Sequence, residues 1–203
     1  MCEYLGSEVK SGDAVLCKCI YWLNVAAAVD KVFGTNFSVD LKYIKQLSDT
    51  VKSPEFKFRN ILMTNCLQII GASLKTKNSS EVVIPNEVEN MPILGIKEGL
   101  FKNNKTIEMI DFGTTLKTIG ISAFENCTNL KNVTMSDSVT VIMDRAFAGC
   151  VSLKEVRLGR GVKHIGKNAF VGCENLETVY MPKSVENVEN SAIETKIIIK
   201  YYG

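Results

Sequence analysis

The chain has 203 residues, 46% of them apolar and 23% charged, a composition that builds one or two packed domains and excludes the disordered and fibrous classes. Lys and Arg number 24 against 22 Asp and Glu, with the signs interspersed, so no protein-wide basic field exists to hold nucleic acid or anionic lipid. Seven cysteines, an odd number without a CxxC pair, favour a reduced cytoplasmic chain over a disulfide framework.

In chain order, the first apolar stretch is "AVLCKCIYWLNVAAAV" at 14–29. With Lys18 and Asn24 inside it, it is too short and too polar for a membrane span of about 20 residues. Glu3, Glu8 and Asp13 precede it where an export signal needs positive charge, so it reads as a buried helix, and export to a cell surface would need a non-obvious route. Asp13 can cap that helix, which runs to about Phe33 with Gly34 as its stop. A second helix starts at Asn36 or Ser38, carries Phe37, Leu41, Ile44, Leu47 and Val51 on one face, and ends at Pro54. Residues 1–60 therefore predict a small α-helical unit, either a cap on the repeats or a partner-binding subdomain.

From residue 96 the chain aligns with itself, without gaps, at a period of 23: 96–118, 119–141, 142–164 and 165–187, with an incomplete unit at 188–203. A fixed period of this length marks a solenoid. Each unit holds an LxxVxM-type segment: Ile107, Ile110, Phe112; Leu130, Val133, Met135; Leu153, Val156, Leu158; Leu176, Val179, Met181. Alternation of that kind buries every second side chain of a short strand, and the strands stack in parallel. Turns rich in Gly, Pro, Asp and Ser come next ("GTT", "SDS", "GRG", "PKS"), then an irregular or short helical return arm through an Ala-Phe pair. In the last unit "KIIIKYY" reads as a strand that pairs with 178–182, its lysines discouraging further addition.

The pattern "IGxxAFxxCxxLxxVxMPxSV", together with "CLQIIGASLKTKNSSEVVIPNEVENMPILGIKEGLF" at 66–101, resembles the BspA-like, or Treponema-type, leucine-rich repeat over about 66–203. The resemblance implies an opening hairpin and strand at 66–95, then a leucine-rich-repeat solenoid with its parallel β-sheet on the concave face. With the helical front end, the fold class is α+β. It further implies binding of macromolecules, mostly proteins or glycans, and brings no catalytic residues.

Cys127, Cys150 and Cys173 fall 23 residues apart, each behind an Ala-Phe pair, with Asn104 at the same position in the first unit. A one-sided row cannot surround zinc tetrahedrally, and thiols in apolar company pack as small hydrophobes, so the column reads as core without metal or cofactor. His164, the only histidine, reads as an exposed turn residue, leaving no nucleophile–histidine system and no enzyme. The NxS/T triplets at Asn36, Asn78, Asn104, Asn126 and Asn132 would matter only on a eukaryotic secretory route, and Asn126 beside the cysteine column speaks against that use.

Between the buried strand positions two outward rows are expected: Glu81, Met109, Asn132, Glu155, Thr178, and Val83, Asp111, Thr134, Arg157, Tyr180. Acidic groups lie in the early strands and basic and aromatic ones in the late strands. The residues expected to meet another protein are Asp111, Thr134, Lys154, Glu155, Arg157, Arg160, Tyr180 and Lys183, since exposed Arg and Tyr are the types that carry interface energy. The expected function is a non-enzymatic protein-binding module acting through this face. The alternative is a small inhibitor or effector that occludes an enzyme with contacts from its helical front end.

Overall fold

The computed structural model describes residues 53–61, 66–194 and 196–203. The two expected front-end helices lie outside these residues. Within them the only helix is α1 (Leu74–Lys77), capped by the Ser73 hydroxyl, and the rest is strand and turn. The fold is a leucine-rich-repeat solenoid with parallel sheets, and the described part is almost wholly β rather than α+β.

Strands β1 (Phe56–Ile61) and β2 (Cys66–Ala72) open the fold as an antiparallel pair. The "IP" strand β3 (Glu81–Val83) comes after α1, and β4 (Glu87–Val88) then turns back on β5 (Met91–Ile96). The two residues between them, Glu89 and Asn90, have φ of 52° and 60°, the doubly left-handed geometry of a tight hairpin turn.

Every 23-residue unit then adds two strands rather than the one that its alternation announces. The LxxVxM segments become β6 (Met109–Asp111), β8 (Asn132–Thr134), β10 (Glu155–Arg157) and β12 (Thr178–Pro182). The residues after the turn become two-residue strands: β7 (Thr118–Ile119), β9 (Val141–Ile142), β11 (His164–Ile165) and β13 (Asn187–Val188). These continue a second sheet in the order β1-β2-β5-β7-β9-β11-β13, parallel from β2 onward. The strand β14 (Ile198–Tyr202) pairs with β12, Thr178 opposite Ile198 through Pro182 opposite Tyr202, in the pairing expected of "KIIIKYY". His164 is thus a half-buried strand residue and not part of an exposed turn, because the second sheet claims the position.

The return arm is a series of turns with no helix. Two positions per unit are left-handed: Gly99, Ser122, Arg145, Asn168 and Ser191 before the Ala-Phe pair, and Asn103, Asn126, Gly149 and Gly172 behind it, with φ between 52° and 71°. Such kinks forbid a continuous helix. The arm nevertheless forms its own ladder to the next unit, for example Phe101 N–H to Ala123 O (2.8 Å), Phe124 N–H to Ala146 O (2.8 Å) and Phe147 N–H to Ala169 O (2.9 Å). Each unit is therefore bonded to its neighbour on three sides of the coil.

Inside, identical residues stack. The rings of Phe101, Phe124, Phe147 and Phe170 lie parallel at centroid distances of 5.3, 5.3 and 5.4 Å, and Phe112 meets Phe124 and Phe147 edge-on. These offset and T-shaped contacts add about 0.5–1.5 kcal/mol per pair to the burial itself.

Candidate functional site

Cys127, Cys150 and Cys173 are completely buried, and each thiol donates to a carbonyl one unit back: to Phe101, Phe124 and Phe147, all at 3.2 Å. In the first unit Asn104 does the same job, its amide donating to Lys77 O at 2.6 Å. Burial pushes the Cys127 thiol up to about 12, and the neighbouring Cys173 thiol together with burial raises Cys150 as well. The column is inter-repeat core, and the outward rows of the LxxVxM strands lie apart from it at the surface.

On that face the outward rows stand in register. Asn132, Glu155, Thr178 and Ile198 are aligned, and so are Thr134, Arg157, Tyr180 and Lys200. The face is built in two pieces: β3 pairs with β6, placing Glu81 opposite Met109 and Val83 opposite Asp111, while β8, β10, β12 and β14 form a separate four-stranded sheet. The Lys131 N–H bond to Glu108 O, 3.1 Å, and the ion pair of the same two side chains bridge the pieces. Asp111 accordingly lies on the early piece, exposed, its carboxylate accepting from Gly113 N–H, away from the late cluster. Val83 and Met109 expose apolar surface beside it, at 59% and 53%.

The late piece draws the other expected residues together. Arg157 lays its guanidinium over the Tyr180 ring, with Cζ 4.2 Å from the centroid, and Glu155 lies 3.9 Å from Arg157 Nη2. Thr134 adjoins Arg157 in the same row. Lys154 enters β10 exposed, its N–H on Lys131 O, while Arg160 and Lys183 are exposed just past the ends of β10 and β12. Arg160 is fixed there by its N–H to Asp137 Oδ1 (2.7 Å) and Lys183 by its N–H to Tyr202 O (2.9 Å).

Two contributors to this cluster, and one buried carboxylate away from it, are absent from the sequence-based selection. Lys200 places Nζ 5.3 Å from the Tyr180 centroid, so the ring carries two cations. The Tyr202 hydroxyl donates to Leu158 O, closing the strand ends, and burial with the Asp137 carboxylate nearby raises its phenol above the ordinary value. Their signal was the pairing of "KIIIKYY" with 178–182, carried one step further to individual rows. The third is Glu125, a buried carboxylate on the arm between Arg145 (2.7 Å) and Lys102 (2.9 Å). Its hydrogen bond from Arg145, helped by Lys102, holds it at about 2 against the opposing cost of burial.

Two solved structures are similar to this chain to different degrees. A T. pallidum leucine-rich-repeat protein is similar in structure, with a TM-score of 0.65 and 25% identity over 70% of this chain, which spans 64% of the length of that one. A leucine-rich-repeat protein of Bacteroides capillosus aligns at 24% identity with a TM-score of 0.49, over 75% of this chain and 98% of that one. No curated protein matches the sequence. The BspA type leucine-rich-repeat region matches residues 94–201 in six copies, more than half of the 203 residues, and the chain belongs to that family.

Proposed function

We propose that the protein is a non-enzymatic binding module that engages another protein through the outer face of the LxxVxM strands. Stacked repeats present extended surfaces suited to this use. The observation that carries the reading is the contrast within single strands. The inward positions repeat as Val133, Val156 and Val179, while their outward neighbours change from Asn132 and Thr134 to Glu155 and Arg157 to Thr178 and Tyr180. A rigid backbone thus carries an unrepeated pattern of charge and aromatic surface.

The test is steric. Met109→Trp combined with Asp111→Trp covers the face on β6, a strand that does not adjoin Arg157, and Lys167→Trp with Asn190→Trp adds the same bulk on the return arm. Captured partner should be lost with the first variant and kept with the second. A partner retained by the doubly blocked face, with the melting temperature unchanged, would overturn the reading.

A further inference from the structure

We propose that the Arg157–Tyr180–Lys200 row, with Arg160 and Lys183 at the adjoining strand ends, is a binding site for an extended acidic segment of a protein partner. The proposal rests on the strand face being the binding surface, and names the chemistry that the face selects.

Four cations are delivered by three adjacent strands to one corner of the sheet. Arg157 and Lys200 share the Tyr180 ring at 4.2 and 5.3 Å. Lys131 and Lys196, near these strands, and Lys163, just before β11 in the second sheet, each have a carboxylate partner: Glu108, Glu194 and Glu186. Among the described residues no carboxylate stands at ion-pair distance from Arg160, Lys183 or Lys200, and Glu155 reaches Arg157 only at 3.9 Å. Asp137, the other nearby acid, is engaged by the Arg160 N–H. Positive charge is concentrated here and only partly answered within the fold.

The cations are also held in place. Stacking on Tyr180 fixes the Arg157 guanidinium on a three-residue strand hydrogen-bonded on both sides, so little side-chain freedom is lost when its planar fork takes a carboxylate. The backbones of Arg157 and Lys200 stand two strand spacings apart, about 10 Å, and their charged ends, both on the Tyr180 ring, lie no farther apart than that. An extended polyproline-II-like segment repeats on one face every three residues, about 9.3 Å, so acids three apart meet both cations. The Tyr180 ring lies between them, and the exposed Ile198, 59% accessible, flanks Lys200 on the same strand in the neighbouring row. An acidic peptide with an aliphatic residue between its acids uses that surface, whereas a sulfated polysaccharide leaves it uncovered.

The probe is a fluorescein-labelled twelve-residue peptide of repeating Glu-Val-Pro, which keeps the chain extended with Glu at every third position, titrated by anisotropy at low salt beside its Gln-substituted counterpart and heparin. Saturable binding of the acidic peptide alone is expected. It should weaken at least about tenfold in Arg157→Glu/Lys200→Glu, less in the size-conserving Arg157→Gln/Lys200→Gln, and not in Lys75→Glu/Lys77→Glu on α1. Absence of saturable binding to the wild-type chain, equal weakening by the α1 pair, or heparin binding that alone depends on Arg157 and Lys200 would each overturn the proposal. Loss of a captured partner in the Trp-blocked variant would still stand after any of these results, which separates this proposal from the reading beneath it.

Discussion

Glu125 shows how one side chain can tie three units together. It occupies the position held by Lys102 one unit earlier and by Ala148 and Val171 later, and its two cations come from its own column and from the left-handed Arg145. Its carboxyl is depressed from about 4.5 to about 2, so its contribution is fully present above the unfolded value and is lost as pH falls through the folded one. The stability difference between the wild type and Glu125→Gln, tracked by urea unfolding, should therefore be constant above about pH 4.5 and shrink toward zero near pH 2. A difference independent of pH would refute the tie. The cysteine column makes a second expectation: thiol labelling of the native protein should modify half-buried Cys66 before Cys127, Cys150 and Cys173. Rapid reaction of all four would contradict their enclosure. That column was legible in the sequence because the period places like residues in one row. The left-handed positions were not, since Ser122, Arg145 and Ser191 carry no glycine to announce them and are held by the arm's ladder instead.

At the level of elements, the LxxVxM strands were readable down to register, because burial of every second residue leaves a period-two trace. The second sheet was not. Strands of two residues, such as Thr118–Ile119, are too short to alternate, and their existence depends on bonds to units 23 residues away, such as Met143 N–H to Ile119 O. The hairpin turn at Glu89–Asn90 was hidden likewise, as it lacks the Asn-Gly or Asp-Gly pair that usually marks two left-handed residues. Strand β14 tests the register directly. Ending the chain after Glu194 removes the partner of β12 and uncovers the Val179 layer, so the truncated protein should aggregate and melt lower. A truncated chain that stays monomeric at an unchanged melting temperature would show that β12 does not need this cover.

Across the whole molecule, most of the candidate binding corner was visible in the sequence as a drift from acidic to basic residues along the repeats. What the sequence could not show was convergence. Asp111 stays on a separate sheet, and Lys200, read as a guard on an edge strand, shares Tyr180 with Arg157. Repeat number therefore sets more than length, since each added unit changes which outward residues become neighbours.

The backbone bonds that tie each unit to the next, in two ladders throughout and a third from β8 onward, all run along the direction in which the units pile up. A load applied between the two ends of the pile stretches these bonds one layer after another, like pages lifted from a pad, with no layer sheltering the one beneath it. Each released layer of 23 residues frees about 80 Å of extended chain and gives back only one strand spacing of about 5 Å. Pulled in an optical trap by residues 96 and 203, the protein should lengthen in steps of about 75 Å, whereas rupture of the whole stack in one event would mean that the layers fail together.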